Sequence, residues 1–222
     1  MVYYPICLNI TNKRCVVVGG GEVGARKAEG LIVCGARVTL LSRELTPSLA
    51  KLKQEGRIDH VKADYEAAYL SGAFLVIGAT DSAEVNSKIA DDARALSILV
   101  NIADDPGRCD FILPALVRQG DLLLTVATGG KSPALAKKVR TELEASFGRE
   151  YAILLDIMGK VREERLALGC PAEENKRIFT ALANSDLLDQ IRAGSAKGVK
   201  DCLRNVGVPE MELNGFEQMV KG

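Results

Sequence analysis

An apolar, β-branched run from Arg14 to Val18 leads directly into Gly19-x-Gly21-x-x-Gly24, and these glycines open into residues of helical period. No other stretch constrains the fold as tightly. A buried strand has to end in a tight turn and feed a helix whose first turn lies close to that strand. Gly19 permits the turn, Gly21 lets backbone approach a pyrophosphate, and Gly24 lets the helix pack against the strand. The helix start, with Glu22 and Val23 in its first turn, offers unpaired N–H groups and a positive dipole end to phosphates. The spacing points to a bound dinucleotide.

The residues around this motif repeat its pattern. Alternation over 3–10 and apolar runs at 37–41, 58–62, 73–78 and 98–102 read as strands. Helical segments fall between them. One stops at Gly35. One starts at the cap Thr46 with Pro47 and runs to about residue 55, and one starts at Asp81-x-x-Glu84 and runs to about residue 95. Strand and helix alternate with short connections, which predicts an α/β fold with a Rossmann-like, doubly wound parallel sheet. The pattern breaks near Asp104. Residues 111–117 and 122–127 flank Arg118-Gln119-Gly120-Asp121 and read as a hairpin. Helices are expected at 133–147, 151–168, 172–184 and 195–206. The domains expected are a nucleotide domain over 1–110, a strand-rich segment over 111–147 and a helical part over 148–222.

Composition narrows the function. The 29 basic and 29 acidic residues balance, so nothing global points to nucleic acid or a membrane surface, and a polyanionic ligand needs a local basic patch. No segment reaches the roughly 20 apolar residues of a membrane span. The start, Met1-Val2-Tyr3-Tyr4-Pro5, has no basic region ahead of an apolar core, so a cytoplasmic chain without a signal peptide is expected. Six cysteines are scattered with no CxxC pair, which reads as buried thiols in a reducing compartment, with Cys109 beside the candidate site. The single histidine, His60, excludes a histidine-based metal cluster and a catalytic triad within one chain, and no metal site is expected. His60 itself reads as a strand residue without a catalytic role.

In open α/β sheets ligands bind beyond the carboxyl ends of the strands. Four such ends, at 19–23, 41–44, 78–81 and 101–105, would line one crevice. Thr80, Asp81 and Asn101 stand at the third and fourth ends as cofactor contacts. At the second, an acid about 20 positions after the fingerprint would hold an adenosine ribose. Ser42 occupies that place, and the acid, Glu44, comes two residues late. Arg43 between them suits a 2′-phosphate, or is a solvated loop cation. Spacing alone leaves NAD and NADP open. At the fourth end Asp104 and Asp105 precede Pro106, where a carboxylate would accept a proton in an oxidation, or simply start a turn. Further on, Thr128-Gly129-Gly130-Lys131-Ser132-Pro133 precedes Lys137, Lys138 and Arg140. It reads as a capped helix with a solvated basic face, or as an anion site of backbone N–H groups and Lys131.

Taken together, these elements resemble the siroheme synthase N-terminal module family, which includes stand-alone precorrin-2 dehydrogenases and forms that are also ferrochelatases. The matching residues are Tyr4-Pro5-Ile6, the run from Val17 through Gly19-Gly20-Gly21-Glu22-Val23-Gly24 to Ala28, Ala79-Thr80-Asp81 with Asn86, Asn101-Ile102-Ala103-Asp104, Phe111-Ile112-Leu113-Pro114-Ala115, and Thr128-Gly129-Gly130-Lys131-Ser132-Pro133-Ala134-Leu135-Ala136. They keep the family's order from residue 3 to about 145. The resemblance implies a homodimer joined through the strand-rich segment over 111–147, with NAD as cofactor, removal of two hydrogens from precorrin-2 to give sirohydrochlorin, and in some members insertion of ferrous iron. It puts Asp104 on the family's proposed general base and Thr128 where some members carry a serine near the tetrapyrrole. A polycarboxylate substrate then makes Arg108, Lys131, Lys137 and Lys138 candidates for a cationic wall. A chain of 222 residues leaves no room for the methyltransferase half of trifunctional relatives, so precorrin-2 is expected from another protein. The alternative is a regulatory module that binds NAD without chemistry. Such a module predicts an acid at the position of Ser42 and gives no reason for Gly130-Lys131-Ser132-Pro133.

Overall fold

The computed structural model describes residues 3–208, which fall into two compact units meeting at Leu113 and Pro114. The first carries five parallel strands: β1 (Arg14–Val18), β2 (Arg37–Leu41), β3 (Ile58–Val61), β4 (Leu75–Gly78) and β5 (Leu99–Ile102), in the order β3-β2-β1-β4-β5. Helices α1 (Glu22–Val33), α2 (Pro47–Gln54) and α3 (Ala83–Ala95) make three crossovers, and a 3-10 turn at Ala67–Leu70 precedes β4. The strand order reverses between β1 and β4. This is the doubly wound arrangement expected, with its crevice at the switch point.

β1 shows how the sheet is held. Cys15 and Val17 join one apolar layer with Ala25, Ala28, Leu40 and Ile77, while Val16 and Val18 join the other with Val76, Ile89 and Val100. Side chains alternate faces along a strand, so five residues tie both helical layers to one sheet. Each fully buried aliphatic here contributes about 1.5–3 kcal/mol.

Local chemistry accounts for the element ends. Gly35 takes φ +76° after the last turn of α1, as its position predicts. Pro47 opens α2. The start of α3 differs from expectation: the cap is Ser82, whose Oγ accepts from Val85 N at 3.2 Å, and Asp81 lies one residue outside. Thr80 and Asn86 set this position by bonding to each other, Thr80 Oγ1 donating to Asn86 Oδ1 at 2.8 Å and Asn86 Nδ2 donating to Thr80 O at 2.9 Å. Residues 3–10 form no strand. They alternate, but Tyr4 and Ile6 stay exposed and only Ile10 reaches the core. Alternation supplies a strand only when a neighbouring edge takes up its backbone groups.

The second unit begins with the antiparallel hairpin β6 (Ala115–Gln119) and β7 (Leu122–Val126), turning at Gly120 with φ +56°. The expected strand over 111–117 is shorter at its start. Asp110 and Phe111 are drawn onto β5 instead, through Asp110 N to Val100 O at 2.9 Å and Asn101 Nδ2 to Phe111 O at 2.9 Å, and Pro114 brings no N–H to a ladder. Helices α4 (Pro133–Ser146), α5 (Glu150–Ala167), α6 (Ala172–Ala183), α7 (Leu187–Arg192) and α8 (Ala196–Asn205) follow. Of these only α7 was not anticipated. It is a six-residue helix that buries Leu187 and Ile191, one turn apart. They pack with Ile157, Val161, Ile178, Leu182, Val199 and Leu203 in a core of the unit's own. Met1 and Val2, and the end of the expected helical part over 209–222, lie outside the described residues. Among the described residues no helix is long and apolar enough to cross a membrane.

Candidate active site

Val18, Leu41, Gly78 and Ile102 end four strands in register, so the loops after them rise side by side. Gly19 adopts φ +124° and donates its N–H to Leu41 O at 2.9 Å. A methyl group on Gly19 would collide with Ala79 O, one on Gly20 with Glu44 O, and one on Gly24 with Gly19 O. Gly21 differs. Nothing lies within 4 Å of where its Cβ would stand, and this residue is the N-cap of α1 with no side chain closing the helix end. The amides of Glu22, Val23 and Gly24 therefore face an open approach at the positive end of a 12-residue helix. Glycines walled in on the protein side and open on the other fit a close-approaching pyrophosphate.

The second strand end is more committed than its sequence indicates. Ser42 is only 9 % exposed, its Oγ donates to Glu44 O at 2.7 Å, and His60 Nε2 donates to Ser42 O at 3.0 Å. The lone histidine thus braces the 42–44 turn. Glu44 is exposed. Arg43 forms a bidentate ion pair with Asp64, which follows β3 and which sequence reasoning missed. This hydrogen-bonded pairing holds the Asp64 carboxyl below the usual carboxylate range and raises the Arg43 guanidinium.

At the third end Thr80 is engaged with Asn86, and Asp81 is exposed beside it. At the fourth, Asn101 is buried and commits its amide to Phe111 O. Asp104 is exposed and takes φ +65°, one of three non-glycine residues among those described in the left-handed region. Its loop closes around a thiol. Cys109 Sγ accepts from Ile102 N at 3.1 Å and lies 3.2 Å from Asp105 O and 3.3 Å from Ile102 O. Burial raises the Cys109 thiol above its ordinary range, so it stays protonated and able to donate. Half-buried Lys27 on α1 also belongs here. Burial, then Arg26, lowers its ammonium, while Asp104 and Cys109 pull the other way. A lysine six residues past Gly21, at the margin of the buried face of α1, was the available signal.

The expected cationic wall is partly spoken for. Arg108 sits 3.4 Å from Asp105 and 3.6 Å from Asp91, and Lys138 is 3.9 Å from Glu142. Lys131 and Lys137 are exposed in the second unit. There Thr128 closes the glycine turn by accepting from Ser132 N at 3.2 Å, Gly129 and Gly130 take φ +61° and +81°, and Ser132 caps α4 through Leu135 N. The described residues contain no group of His, Cys, Asp and Glu side chains that could hold a metal ion.

Comparison with known proteins agrees with this geometry. A family model described as NAD(P)-binding matches residues 6–115. The siroheme synthase of Methylobacillus flagellatus is 37 % identical over 98 % of this chain and 47 % of its own length. Siroheme synthase 1 of Aeromonas salmonicida is 37 % identical over 89 % of the chain and 42 % of its own length. The chain thus spans about half the length of the curated relatives it matches. Among solved structures, "SirC, precorrin-2 dehydrogenase" superposes with a TM-score of 0.74 at 22 % identity, covering 92 % of this chain and 98 % of that one, which establishes a shared fold. Fingerprint, strand order and family model agree on a dinucleotide-binding domain, and the chain is similar to about half the length of siroheme synthases.

Proposed function

We propose that this chain oxidises precorrin-2 to sirohydrochlorin, with NAD as the oxidant, in sirohaem synthesis, and that it works as a cytoplasmic homodimer. The observation that carries the reading is Asp104, an exposed carboxylate held in left-handed backbone at the end of β5, in the row of loops that contains the phosphate turn. The printed names of the relatives and of the structural neighbour support the substrate. The amides of Glu22, Val23 and Gly24, beside Gly19 and Gly21, hold the pyrophosphate, while Ser42, Arg43, Glu44, Thr80, Asp81 and Asn101 border the rest of the cofactor. NAD, when bound, accepts the hydride. The Asp104 carboxylate takes the proton that is lost with it, so the two hydrogens depart as hydride and proton. Arg108, in the same unit as Asp104, is the cation for the substrate carboxylates there; in the second unit Lys131, on the turn that Thr128 closes, and Lys137 are exposed cations that suit carboxylates. The assay with ferrous iron reads whether the metal is a second substrate, Asp104 being the group that would then remove pyrrole protons.

The test is an NAD-coupled assay on enzymatically made precorrin-2, run with and without ferrous iron. Asp104→Asn should lower turnover at least about a hundredfold while NAD still binds. Full turnover in that variant removes Asp104 from the mechanism, and binding without turnover in the parent chain favours the regulatory module. Light scattering reads the dimer.

A further inference from the structure

Arg43 and Asp64 meet across the ends of β2 and β3, with Arg43 Nε on Asp64 Oδ1 at 2.5 Å and Nη2 on Oδ2 at 2.6 Å. Leu41, the last residue of β2, is in register with Val18 on one side and Val61 on the other. The pair therefore stands just beyond the phosphate turn, on the side of the switch point where the adenosine ribose of a dinucleotide lies. The residue that would ordinarily read that ribose is Ser42, whose hydroxyl is already given to Glu44 O. Arg43 is the guanidinium at this edge, with the Lys62 ammonium exposed just after β3. A guanidinium there matches a 2′-phosphate bidentately, but its fork is filled by a carboxylate of the same geometry.

We propose that Asp64 is a specificity gate, which by occupying the Arg43 fork denies that cation to a 2′-phosphate and so makes the chain prefer NAD over NADP. The inference rests on the dinucleotide reading of this crevice. To use Arg43, NADP has to break the pair and leave the Asp64 carboxylate beside a phosphate of like charge. To avoid breaking it, NADP has to lie against a pair with no net charge to offer. NAD presents only a hydroxyl, which can donate to Asp64 or accept from Arg43 with the pair intact. Both side chains are well exposed, at 75 % and 67 %, so salt and water screen the pair and the gate is graded.

The test is the dissociation constants of NADH and NADPH, measured by nucleotide fluorescence for the parent chain, Asp64→Asn, Asp64→Ala and the double variant Asp64→Asn/Arg43→Ala. Either single variant should raise the affinity for NADPH relative to NADH about tenfold, the scale of one hydrogen bond to a charged group. Removing Arg43 as well should return the ratio to the parent value or below it. NADH binding with an unmoved ratio in both single variants overturns the gate and leaves the dinucleotide reading standing. If the parent chain binds neither nucleotide, the reading beneath the gate fails instead.

Discussion

Cys109→Ala is the most direct probe of how the site is held. The thiol sits inside the loop that presents Asp104, accepting from Ile102 N at 3.1 Å and lying 3.2 Å from Asp105 O. Truncation leaves the Ile102 N–H without its partner in a residue only 3 % exposed. An unsatisfied buried donor costs about 1–3 kcal/mol. The left-handed backbone at Asp104 costs a similar order, about 1–3 kcal/mol, and persists only while its surroundings impose it. Removing the clamp therefore cancels most of the advantage of the held loop. At about 1.4 kcal/mol per factor of ten, the productive fraction should fall roughly tenfold. We expect kcat for precorrin-2 oxidation to drop by that order, the KM for NAD to stay near its parent value, and the Ile102 amide to exchange hydrogen faster. Cys109→Ser keeps a donor and an acceptor on a shorter arm and should recover part of the loss. A Cys109→Ala protein with parental kcat and unchanged exchange at Ile102 would refute the reasoning.

Three further outcomes follow from other parts of the molecule. Gly24→Ala brings a methyl group onto Gly19 O and should lower the melting temperature, whereas Gly21→Ala points into open space and should melt like the parent while binding NAD more weakly; calorimetry and nucleotide titration separate the two. Burial raises the Cys15 thiol from 9.0 to about 11, so the folded state retains a proton that the unfolded chain releases; stability should be full below about pH 9 and decline as pH rises towards 11, and thermal melts should show a shallower decline in Cys15→Val, with Cys202, raised over the same range, keeping the remainder. Asn175 accepts from buried Arg165 Nε at 2.6 Å and donates to Cys170 O at 3.1 Å. Arg165 Nη2 lies 2.8 Å from Glu174 Oε1 without hydrogen-bond alignment, so Asn175→Ala should cost about 1–3 kcal/mol in denaturant titration.

What could be read in advance was whatever depends on neighbours in the chain. The glycine spacing after β1, the Pro47 and Pro133 starts, the Gly35 stop and the 118–121 turn are local chemistry, and all stand in the structure. What could not be read depends on distant partners. Residues 3–10 alternate like a strand, yet nothing in their own composition says whether an edge will receive them. Asp81 looked like a cap because the Thr80–Asn86 exchange that shifts the helix start to Ser82 is a three-dimensional contact. In α7 the segment is too short for its periodicity to rise above chance. The site divides in the same way. The glycine turn after β1 and the Asp104–Pro106 loop after β5 are marked by their own residues, while the Arg43–Asp64 pair and the place of Lys27 appear only once β3 and α1 are set down.

Ser42 bears on how such a module changes over evolutionary time. The residue is pressed between Gly20 and the Glu44 carbonyl, and a methyl group on Gly20 would already come within 2.7 Å of its hydroxyl. An aspartate at this position would have to enter that space and bury its carboxylate beside a backbone oxygen, with His60 as its near neighbour. The single substitution by which many dinucleotide folds acquire their ribose acid therefore carries a packing and desolvation cost here. Exposed positions 43 and 64 are the cheaper route, because changes there cost the fold little. Cofactor preference in such a chain can drift without touching the turn that makes it a dinucleotide fold.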